Sequence, residues 1–420
     1  MIQNTAIPAT SVSLRTSDSA VYDAFGRFRV SEPLTLFETQ SNYNANPLRM
    51  EAGTSGGGDA VTPSWNTNTR MVTLQVSAGA AGGTSFLQSY QYTPYQPGKS
   101  QLIYMTGVLG AATAGAVKRF GYGSQTNGIF YEQNGTNGLQ FNRRTSTSGV
   151  VVNNTVTQAN WNIDKMDGTG PSGVTIDPTK DFILVIDLQF LSMGRVRIGF
   201  DLGGLIYYAH QFLSANILTV PYMQTATLPV VIELVAAAGL GSTATCQFKC
   251  AAVMSEGGLD YGLGRDFAAE GVVTATTSRT QILSLRPLTT FNGLTNRGLF
   301  VLSSIELLAG TNPVLWELCV GVGFTVAPAY SSVNATYSFM EAGTGGTVPV
   351  LTNGIVIAKG YVGSGAGAGR SESPREFTTS YPITLDRAGA VRSLGTLTLL
   401  VTSTTSTSDC RASLNWLELR

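Results

Sequence analysis

The chain has 420 residues, and its 26 basic and 26 acidic side chains cancel to no net charge. A neutral chain has no long-range attraction for nucleic acid or an anionic membrane, so the sequence predicts neither as a partner. Only 12% of the residues are charged, 43% are hydrophobic, and 48 are glycine. This composition is typical of a rigid protein with many turns, not of a disordered chain.

The first 40 residues predict an extended docking arm. Residues 1–20 are polar and without periodicity, and they lack the basic and apolar segments of a signal peptide. The alternation around Phe28–Val30 indicates a short strand that Pro33 ends. An extended arm of this kind can bind a neighbouring subunit through its main chain. We expect the chain to be made and assembled in a cytoplasm.

Residues 41–262 predict a first β-sandwich. Segments of alternating polarity recur, and Asn-Gly pairs that favour tight hairpin turns separate several of them. The strand candidates are residues 71–76, 101–108, 119–122, 128–132, 138–143, 182–188, 228–235 and 243–254.

A hairpin near residue 200 has the strongest strand pattern in the chain. Apolar residues alternate with polar ones over Val196–Leu202, and Gly203–Gly204 suits a tight turn. The alternation places Arg197 and Asp201 on a solvent-exposed face. The preceding segment, Phe182–Leu188, predicts a strand that is buried on both faces.

Residues 263–420 predict a second, smaller antiparallel sandwich. No convincing helix of 12 or more residues is visible, and the glycine-rich segment 363–369 predicts a surface loop. Trp316 and Trp416 lie in strand patterns, which favours core packing for both. The strand candidates are residues 298–308, 314–322, 335–340, 354–362, 394–403 and 410–419.

Several segments resemble a family of virion structural proteins of tailed bacteriophages. The resemblance is carried by residues 22–37, 161–170 and 194–200, by the segment around His210, and by residues 222–223, 228–230, 255–258 and 412–419. It implies a structural component of the phage particle, on either head or tail, that binds capsid or tail proteins and self-associates. The usual habit of such appendages favours a homotrimer. The family supplies no catalytic residue that can be transferred to this chain.

A second resemblance, to concanavalin-like jelly rolls, is carried by Phe182–His210. In those domains a buried strand is followed by a hairpin with a glycine turn. Many of them bind sugars and others are purely structural. The resemblance implies no particular sugar-binding residue, because the binding loops vary too much.

Residues able to do chemistry are few. His210 is the only histidine, and no Gly-x-Ser-x-Gly motif accompanies it, so a structural histidine is favoured. The segment Asp164–Gly168 offers oxygen ligands for calcium but does not match the EF-hand pattern. A carboxylate pair for glycoside hydrolysis remains an alternative. The aspartates that cluster in the sequence are Asp164, Asp167, Asp177, Asp181, Asp187 and Asp201.

The cysteines and two of the tryptophans are further candidates for site residues. Cys246 and Cys250 are predicted on one face of a strand, too far apart for a disulfide, and are interpreted as buried thiols. Trp65 and Trp161 lie in loops, where they could stack on sugar rings. The sequence therefore predicts no catalytic, cofactor-binding or metal-binding residue.

The expected fold is all-β, with two antiparallel β-sandwich domains of jelly-roll or concanavalin-like type after the arm. The leading functional expectation is a non-enzymatic virion component, a head decoration or fibre protein first and a tail-fibre or tail-tip protein second. The alternative is a carbohydrate-binding adhesin that recognises the host surface. A glycan depolymerase is the third hypothesis.

Overall fold

The computed structural model of the chain describes residues 22–23, 25–27, 33–348, 354–365, 369–372 and 381–420. The predicted strand at 28–30 and residues 366–368 of the predicted surface loop lie outside the described residues. The described residues form two compact units. Unit one comprises Met1–Ser89 and Tyr95–Leu259, and unit two comprises Tyr90–Pro94 and Asp260–Arg420.

The described secondary structure is almost entirely β, which confirms the expected fold class. All paired strands described here are antiparallel. The two short 3-10 helices are Gln158–Asn160 and Tyr261–Leu263. Among the described residues, no helix combines the length and the apolar character that crossing a membrane would require.

Unit one contains an eight-stranded sheet in the order β13-β12-β11-β6-β15-β4-β3, with β1 paired to β15. Strands are numbered in chain order. The strands of this sheet are β1 (Leu34–Gln40), β3 (Ala60–Trp65), β4 (Val72–Val76), β6 (Gln101–Val108), β11 (Phe182–Leu188), β12 (Val196–Leu202), β13 (Leu205–Phe212) and β15 (Ala244–Ser255). The end of the predicted arm, from Leu34 onward, is therefore a strand of this sheet.

A seven-stranded sheet, in the order β10-β9-β8-β7-β14-β5-β2, packs against the first. Its strands are β2 (Met50–Ser55), β5 (Thr84–Ser89), β7 (Ala116–Gly123), β8 (Gly128–Asn134), β9 (Gly138–Thr145), β10 (Val152–Thr157) and β14 (Val230–Ala236). One apolar core takes side chains from both sheets, such as Phe120 and Tyr131 from the seven-stranded sheet and Phe182 and Phe200 from the other. These four rings pack mainly edge to face.

Unit two contains a four-stranded sheet, β16-β27-β20-β25, and a six-stranded sheet, β22-β23-β17-β26-β21-β24, with a small hairpin of β18 and β19. The strands are β16 (Arg265–Ala275), β17 (Thr280–Pro287), β18 (Thr290–Phe291), β19 (Leu294–Thr295), β20 (Leu299–Ala309), β21 (Val314–Val320), β22 (Ala329–Ser332), β23 (Met340–Thr344), β24 (Ile355–Val362), β25 (Gly369–Glu372), β26 (Leu397–Ser403) and β27 (Ser408–Leu419). Trp316 and Trp416 lie in its core, as predicted.

The predicted hairpin is confirmed. β12 and β13 pair around Gly203 and Gly204, whose φ angles of 68° and 85° lie in the left-handed region that glycine adopts most easily. The preceding strand, β11, is buried over all its residues but Ile183, which is 38% exposed. The predicted exposure of Arg197 is wrong, because its side chain is fully buried against Asp187 of the neighbouring strand.

Two further details differ from the sequence-based expectations. The predicted strand at 335–340 is wrong over most of its length, because the Asn334 side chain accepts hydrogen bonds from the main-chain N–H groups of Thr336 and Tyr337 and holds a turn there. The segments that became β14 and β15 do not form the predicted pair. They lie in different sheets of unit one, with Leu234 and Val253 both facing the core between the sheets.

Candidate functional site

A β-bulge in β15 changes which side chains of that strand face the core. Before the bulge, Cys246 and Phe248 are core residues; after it, Ala251 and Val253 are. The register shifts between Phe248 and Cys250, where an extra residue is inserted relative to the partner strand β6. An extra residue reverses the alternation of a strand. The bulge therefore turns Cys250 toward the outward face of the sheet, so the prediction that Cys246 and Cys250 share one face is wrong.

The outward face beside this bulge contains a hollow, which we call the β15 trough. Cys250 and Ala252 are small, and the strands on either side, β1 and β6, carry larger side chains. The hollow has a volume of about 160 Å³ and is open to solvent on one side. Its lining consists of Glu38, Thr39, Gln40, Tyr104, Thr106, Cys250, Ala251 and Ala252.

The β1 wall of the trough carries the Glu38 carboxylate, whose charge is paired with the Arg49 guanidinium. Arg49 donates to Glu38 Oε1 at 2.9 Å, and its guanidinium carbon lies 4.8 Å from the centroid of the Phe37 ring. Burial lowers the pKa of the Arg49 guanidinium, and its pairing with Glu38 only partly offsets that effect. The Glu38 side chain is 51% exposed, so one side of its carboxylate faces solvent over the trough.

Polar groups along the two walls are fixed by hydrogen bonds. Asn42 donates to Gln40 Oε1 at 2.8 Å, which leaves the Gln40 amide nitrogen directed away as a donor. On the β6 side, the main-chain N–H of Cys250 donates to Thr106 Oγ1 at 3.1 Å, and the Cys250 thiol lies 2.9 Å from the same hydroxyl. The trough thus presents preorganised amide, hydroxyl and carboxylate groups beside the Tyr104 side chain.

A group of basic and aromatic side chains lies at the β1 end of the trough, and we call it the Asn42 cluster. It consists of Asn42, Trp65, Arg70 and Lys249. Arg70 donates to the main-chain oxygen of Asn42 at 2.6 Å, and Lys249 donates to the Asn42 side-chain oxygen at 3.1 Å. The Arg70 guanidinium carbon lies 5.9 Å from the Trp65 ring centroid, and Trp65 donates to the main-chain oxygen of Ser41 at 2.7 Å.

The two tryptophans proposed for sugar stacking have different surroundings. Trp65 is partly exposed within the Asn42 cluster and also packs against the core of unit one. Trp161 is only 4% exposed and stacks on Phe141 with ring centroids 4.2 Å apart. The structure therefore places Trp161 in the core, where it cannot contact a ligand, because its loop folds inward over the sheet.

His210 is a buried histidine whose imidazole accepts a hydrogen bond from the main chain. Its Nδ1 accepts from the N–H of Asn162 at 3.2 Å, and its ring lies beside Phe141 and Phe212. Burial lowers the pKa of His210 from 6.5 to about 4, so the imidazole is neutral at pH 7. The hydrogen bond from the Asn162 N–H to the neutral His210 ring holds the loop at Asn162 against β13.

The aspartates considered for calcium cap turns instead. Asp164 accepts from the main-chain N–H groups of Met166 at 2.8 Å and Ser172 at 2.7 Å, one through each oxygen. Asp167 accepts from the main chain and hydroxyl of Thr169 through one oxygen. Across the part of the chain that the structure describes, no group of three or more histidine, cysteine or acidic side chains is arranged to hold a metal ion.

A pair of carboxylates that sequence reasoning missed lies on the outward face of the seven-stranded sheet. Glu233, Arg119 and Glu132 are directly opposite one another on β14, β7 and β8. Arg119 donates to Glu132 at 2.6 Å and to Glu233 at 3.2 Å. Burial opposes the charge of the guanidinium, but the two carboxylates outweigh that effect and raise the pKa of Arg119. No sequence motif marks this pair. Glu132 and Glu233 are 101 residues apart in the sequence, and only the register of the paired strands brings them together.

The Glu132 carboxylate is enclosed and fully used within the protein. It also accepts from Gln140 at 2.6 Å and from Asn142 at 2.8 Å, and the residue is 1% exposed. Glu233 is 3% exposed. The β15 trough is therefore the more accessible of the two polar arrangements.

Comparison with known proteins finds similarity at the level of the fold. No protein-family profile matches the chain, and no curated protein sequence matches it. A glycosyl hydrolase family 16 protein from Mycobacterium smegmatis is 13% identical with a TM-score of 0.32, covering 52% of this chain and 99% of its own. β-Agarase A from Zobellia galactanivorans is 11% identical with a TM-score of 0.34, covering 53% and 91%. A legume lectin-like domain from Entamoeba histolytica is 11% identical with a TM-score of 0.31, covering 53% and 98%.

The expectation that the chain is not an enzyme is contradicted by this comparison. The similar structures include glycoside hydrolases, among them a β-1,3-glucanase from Mycobacterium marinum and β-agarase A. Composition and the lone histidine had argued against catalysis, but glycoside hydrolases need only a pair of carboxylates. At these identities the similarity concerns the fold, and the functional argument has to come from this chain's own residues.

Proposed function

We propose that the chain is a carbohydrate-binding protein and that the β15 trough holds one sugar unit of its ligand. The observation that supports this proposal is the trough itself, an open hollow over Cys250 and Ala252. Its walls present a carboxylate, an amide and a hydroxyl on rigid strands. Sites on strands hold such groups more firmly than sites on loops.

The chemistry of the trough matches that of a sugar ring. A pyranose presents several hydroxyl groups, each both donor and acceptor, and Glu38 supplies acceptors while the Gln40 amide nitrogen supplies a donor. Thr106 Oγ1 is already hydrogen-bonded to Cys250 and keeps one lone pair as a further acceptor, and Tyr104 offers a ring for the apolar C–H groups of a sugar. A volume of about 160 Å³ is room for one sugar unit rather than a long chain.

We propose recognition of the host surface by a bacteriophage virion as the setting of this binding. The sequence resemblance to virion structural proteins, carried among others by residues 22–37 and 412–419, supports that setting. A single shallow site binds one sugar weakly, whereas many copies on one particle bind a glycan-covered surface by avidity. Counting copies per purified particle by quantitative mass spectrometry tests the setting: a multicopy structural component supports it, and absence from the particle contradicts it.

Glycoside hydrolysis is a second candidate function, favoured by one observation. Glu132 and Glu233 are two strands apart, about 10 Å between Cα atoms at the usual strand spacing, and their side chains converge on Arg119. Carboxylates separated by about 5–9.5 Å are the machinery of glycosidases. Binding stands first because both carboxylates are enclosed. Release of reducing sugar from a glycan by the wild type, lost in Glu132→Gln at a temperature where that variant is still folded by circular dichroism, would support hydrolysis.

Filling the trough tests the binding proposal directly. Ala252→Leu places a large side chain over the trough, and we expect it to abolish binding on a glycan array and in calorimetry. Ala159→Leu is the matched control, because Ala159 is exposed in the 3-10 helix that follows β10 of the other sheet. Unchanged glycan binding by Ala252→Leu, with the melting temperature preserved, would show that the ligand binds elsewhere.

A further inference from the structure

We infer that the sugar held by the β15 trough carries a carboxylate, as uronic acids and sialic acids do, and that Arg70 and Lys249 bind that group. This inference rests on the proposed carbohydrate-binding function and names its substrate class. The decisive juxtaposition is that two cations without acidic partners adjoin a hollow suited to one sugar unit.

Arg70 and Lys249 are bound only to neutral oxygen atoms among the described residues. Arg70 donates to the main-chain oxygens of Asn42 at 2.6 Å and Thr67 at 3.2 Å. Lys249 donates to Asn42 Oδ1 at 3.1 Å and to the main-chain oxygen of Arg70 at 3.0 Å. A guanidinium has five N–H donors and an ammonium has three, so both retain donors for an incoming anion.

These cations are also held in place. The hydrogen bonds from both of them converge on Asn42, and the Arg70 guanidinium lies near the Trp65 ring. Long basic side chains on a surface normally lose conformational entropy when they bind a ligand. Because hydrogen bonds already restrict Arg70 and Lys249, these side chains lose less conformational entropy when an anion binds.

Asn42 connects the cations to the trough. Its side-chain nitrogen donates to Gln40 Oε1 at 2.8 Å, and Gln40 lines the trough. Lys249 precedes Cys250, which forms the floor of the trough. A carboxylate substituent on a sugar in the trough therefore lies within reach of the Asn42 cluster.

The acidic group of the trough does not cancel this attraction. Glu38 pairs with Arg49 at 2.9 Å, so its charge already has a partner on its own wall. Arg70 and Lys249 have no such partner in the described part of the chain. Since the whole chain is neutral, the positive potential is local to the Asn42 end and orients the ligand as well as attracting it.

Matched pairs of acidic and neutral sugars test the inference. The probes are sialyllactose against lactose, and trigalacturonate against the same trimer after reduction of its carboxylates to alcohols. We expect the wild type to bind the acidic member of at least one pair about tenfold more tightly or better, as a charge-assisted hydrogen bond provides. The preference should weaken as salt is raised from 20 to 500 mM, roughly in line with the shorter Debye length.

Charge-neutral variants test whether Arg70 and Lys249, rather than surface charge in general, bind the acidic group of the sugar. Arg70→Gln and Lys249→Gln should each reduce acidic-sugar binding toward the level of the neutral sugar, so that the preference for the acidic member of each pair is largely lost. Lys165→Gln is the control, because Lys165 is an exposed cation on a loop of the same unit. Ala252→Leu should abolish binding of both members of each pair.

The outcomes distinguish the two proposals. Equal binding of acidic and neutral sugars overturns the carboxylate inference and leaves the binding function standing. Binding of neither member overturns both. Acidic-sugar binding that survives Ala252→Leu would assign the cations to an anion site unconnected with the trough. Lactose sulfate is the remaining arm, and tighter binding of the sulfate ester than of sialyllactose would overturn the assignment to carboxylates.

Discussion

Asp187 and Arg197 lie directly opposite each other on β11 and β12, where they form a completely enclosed ion pair on the outward side of the sheet. Their side chains are 1% and 0% exposed. Arg197 also donates to the main-chain oxygen of Tyr22, and its guanidinium carbon lies 4.3 Å from the Tyr208 ring centroid. The pair therefore connects the segment at residue 22 to the sheet.

Removing one member of this pair should be strongly destabilising. Asp187→Ala leaves the Arg197 charge buried without its partner, and we expect a loss of about 3–5 kcal/mol in the free energy of unfolding. The apolar double variant Asp187→Leu with Arg197→Met should lose less, because no charge is left behind. Urea denaturation of both variants is the measurement. A double variant that is less stable than the single one would contradict this account.

Stability should fall with acid through His210. The unfolded histidine has a pKa of 6.5 and the folded one a pKa of about 4, so between these values the unfolded state binds more protons. Stability is therefore full above pH 6.5 and declines as the pH falls to 4, by up to about 3 kcal/mol. His210→Gln should remove this component. The check is the pH dependence of unfolding in both proteins; identical slopes would refute the assignment.

Replacing Gly121 should be costly for steric reasons. A Cβ atom there would lie 2.2 Å from the main-chain oxygen of Ile129 and 2.6 Å from the Phe130 ring. We expect Gly121→Ala to lower the free energy of unfolding by about 1–3 kcal/mol. Gly57→Ala is the control, because its Cβ meets nothing within 4 Å. Thermal melting compares the two, and an equal effect would argue against the contact at Gly121.

The Glu132 network should behave as a structural unit. Glu132→Gln removes one charge next to Arg119 and replaces an acceptor oxygen by an amide that opposes Gln140 and Asn142. We expect a loss of about 3 kcal/mol or more, as for a broken buried ion pair. Glu270→Gln, on an exposed position of β16, should change stability by less than about 0.5 kcal/mol. Chemical denaturation would settle the difference; equal stabilities would contradict the network.

The cysteines should differ in reactivity with a thiol reagent at pH 8. Burial raises the pKa of Cys246 to about 12 and that of Cys319 to about 11, and Cys410 is buried too. Cys250 is partly exposed in the trough. We expect one thiol to react in the native protein and four after denaturation, with the native reaction absent in Cys250→Ser. Rapid labelling of Cys246 in the native state would contradict the bulge.

The sequence predicted the strands well wherever local alternation and turn chemistry decided the outcome. The β12–β13 hairpin is the clearest case, because its apolar residues alternate and Gly203–Gly204 suits only a tight turn. Alternation does not show whether the second face is covered. For this reason Arg197, correctly placed opposite the core face, was wrongly expected to be exposed.

The candidate site could not be predicted from the sequence, for a different physical reason. The trough depends on one inserted residue near Lys249, and a bulge has no reliable signature in a single sequence. The Glu132–Glu233 pair depends on the register of three strands distant in the chain. Trp65 and Cys250 are the residues of this surface that stand out in the sequence, although Trp65 is the last residue of β3 rather than part of a loop.

The bulge in β15 makes this surface unusually sensitive to the length of the chain. A substitution at Cys250 or Ala252 changes the shape of the trough gradually, whereas deletion of Lys249 would exchange the two sides of the strand beyond it. Ala251 and Val253 would then point to the exterior and the trough floor would point inward. Substitutions can thus change the ligand preference of the trough one side chain at a time, whereas loss of the single codon for Lys249 would remove the trough in one step.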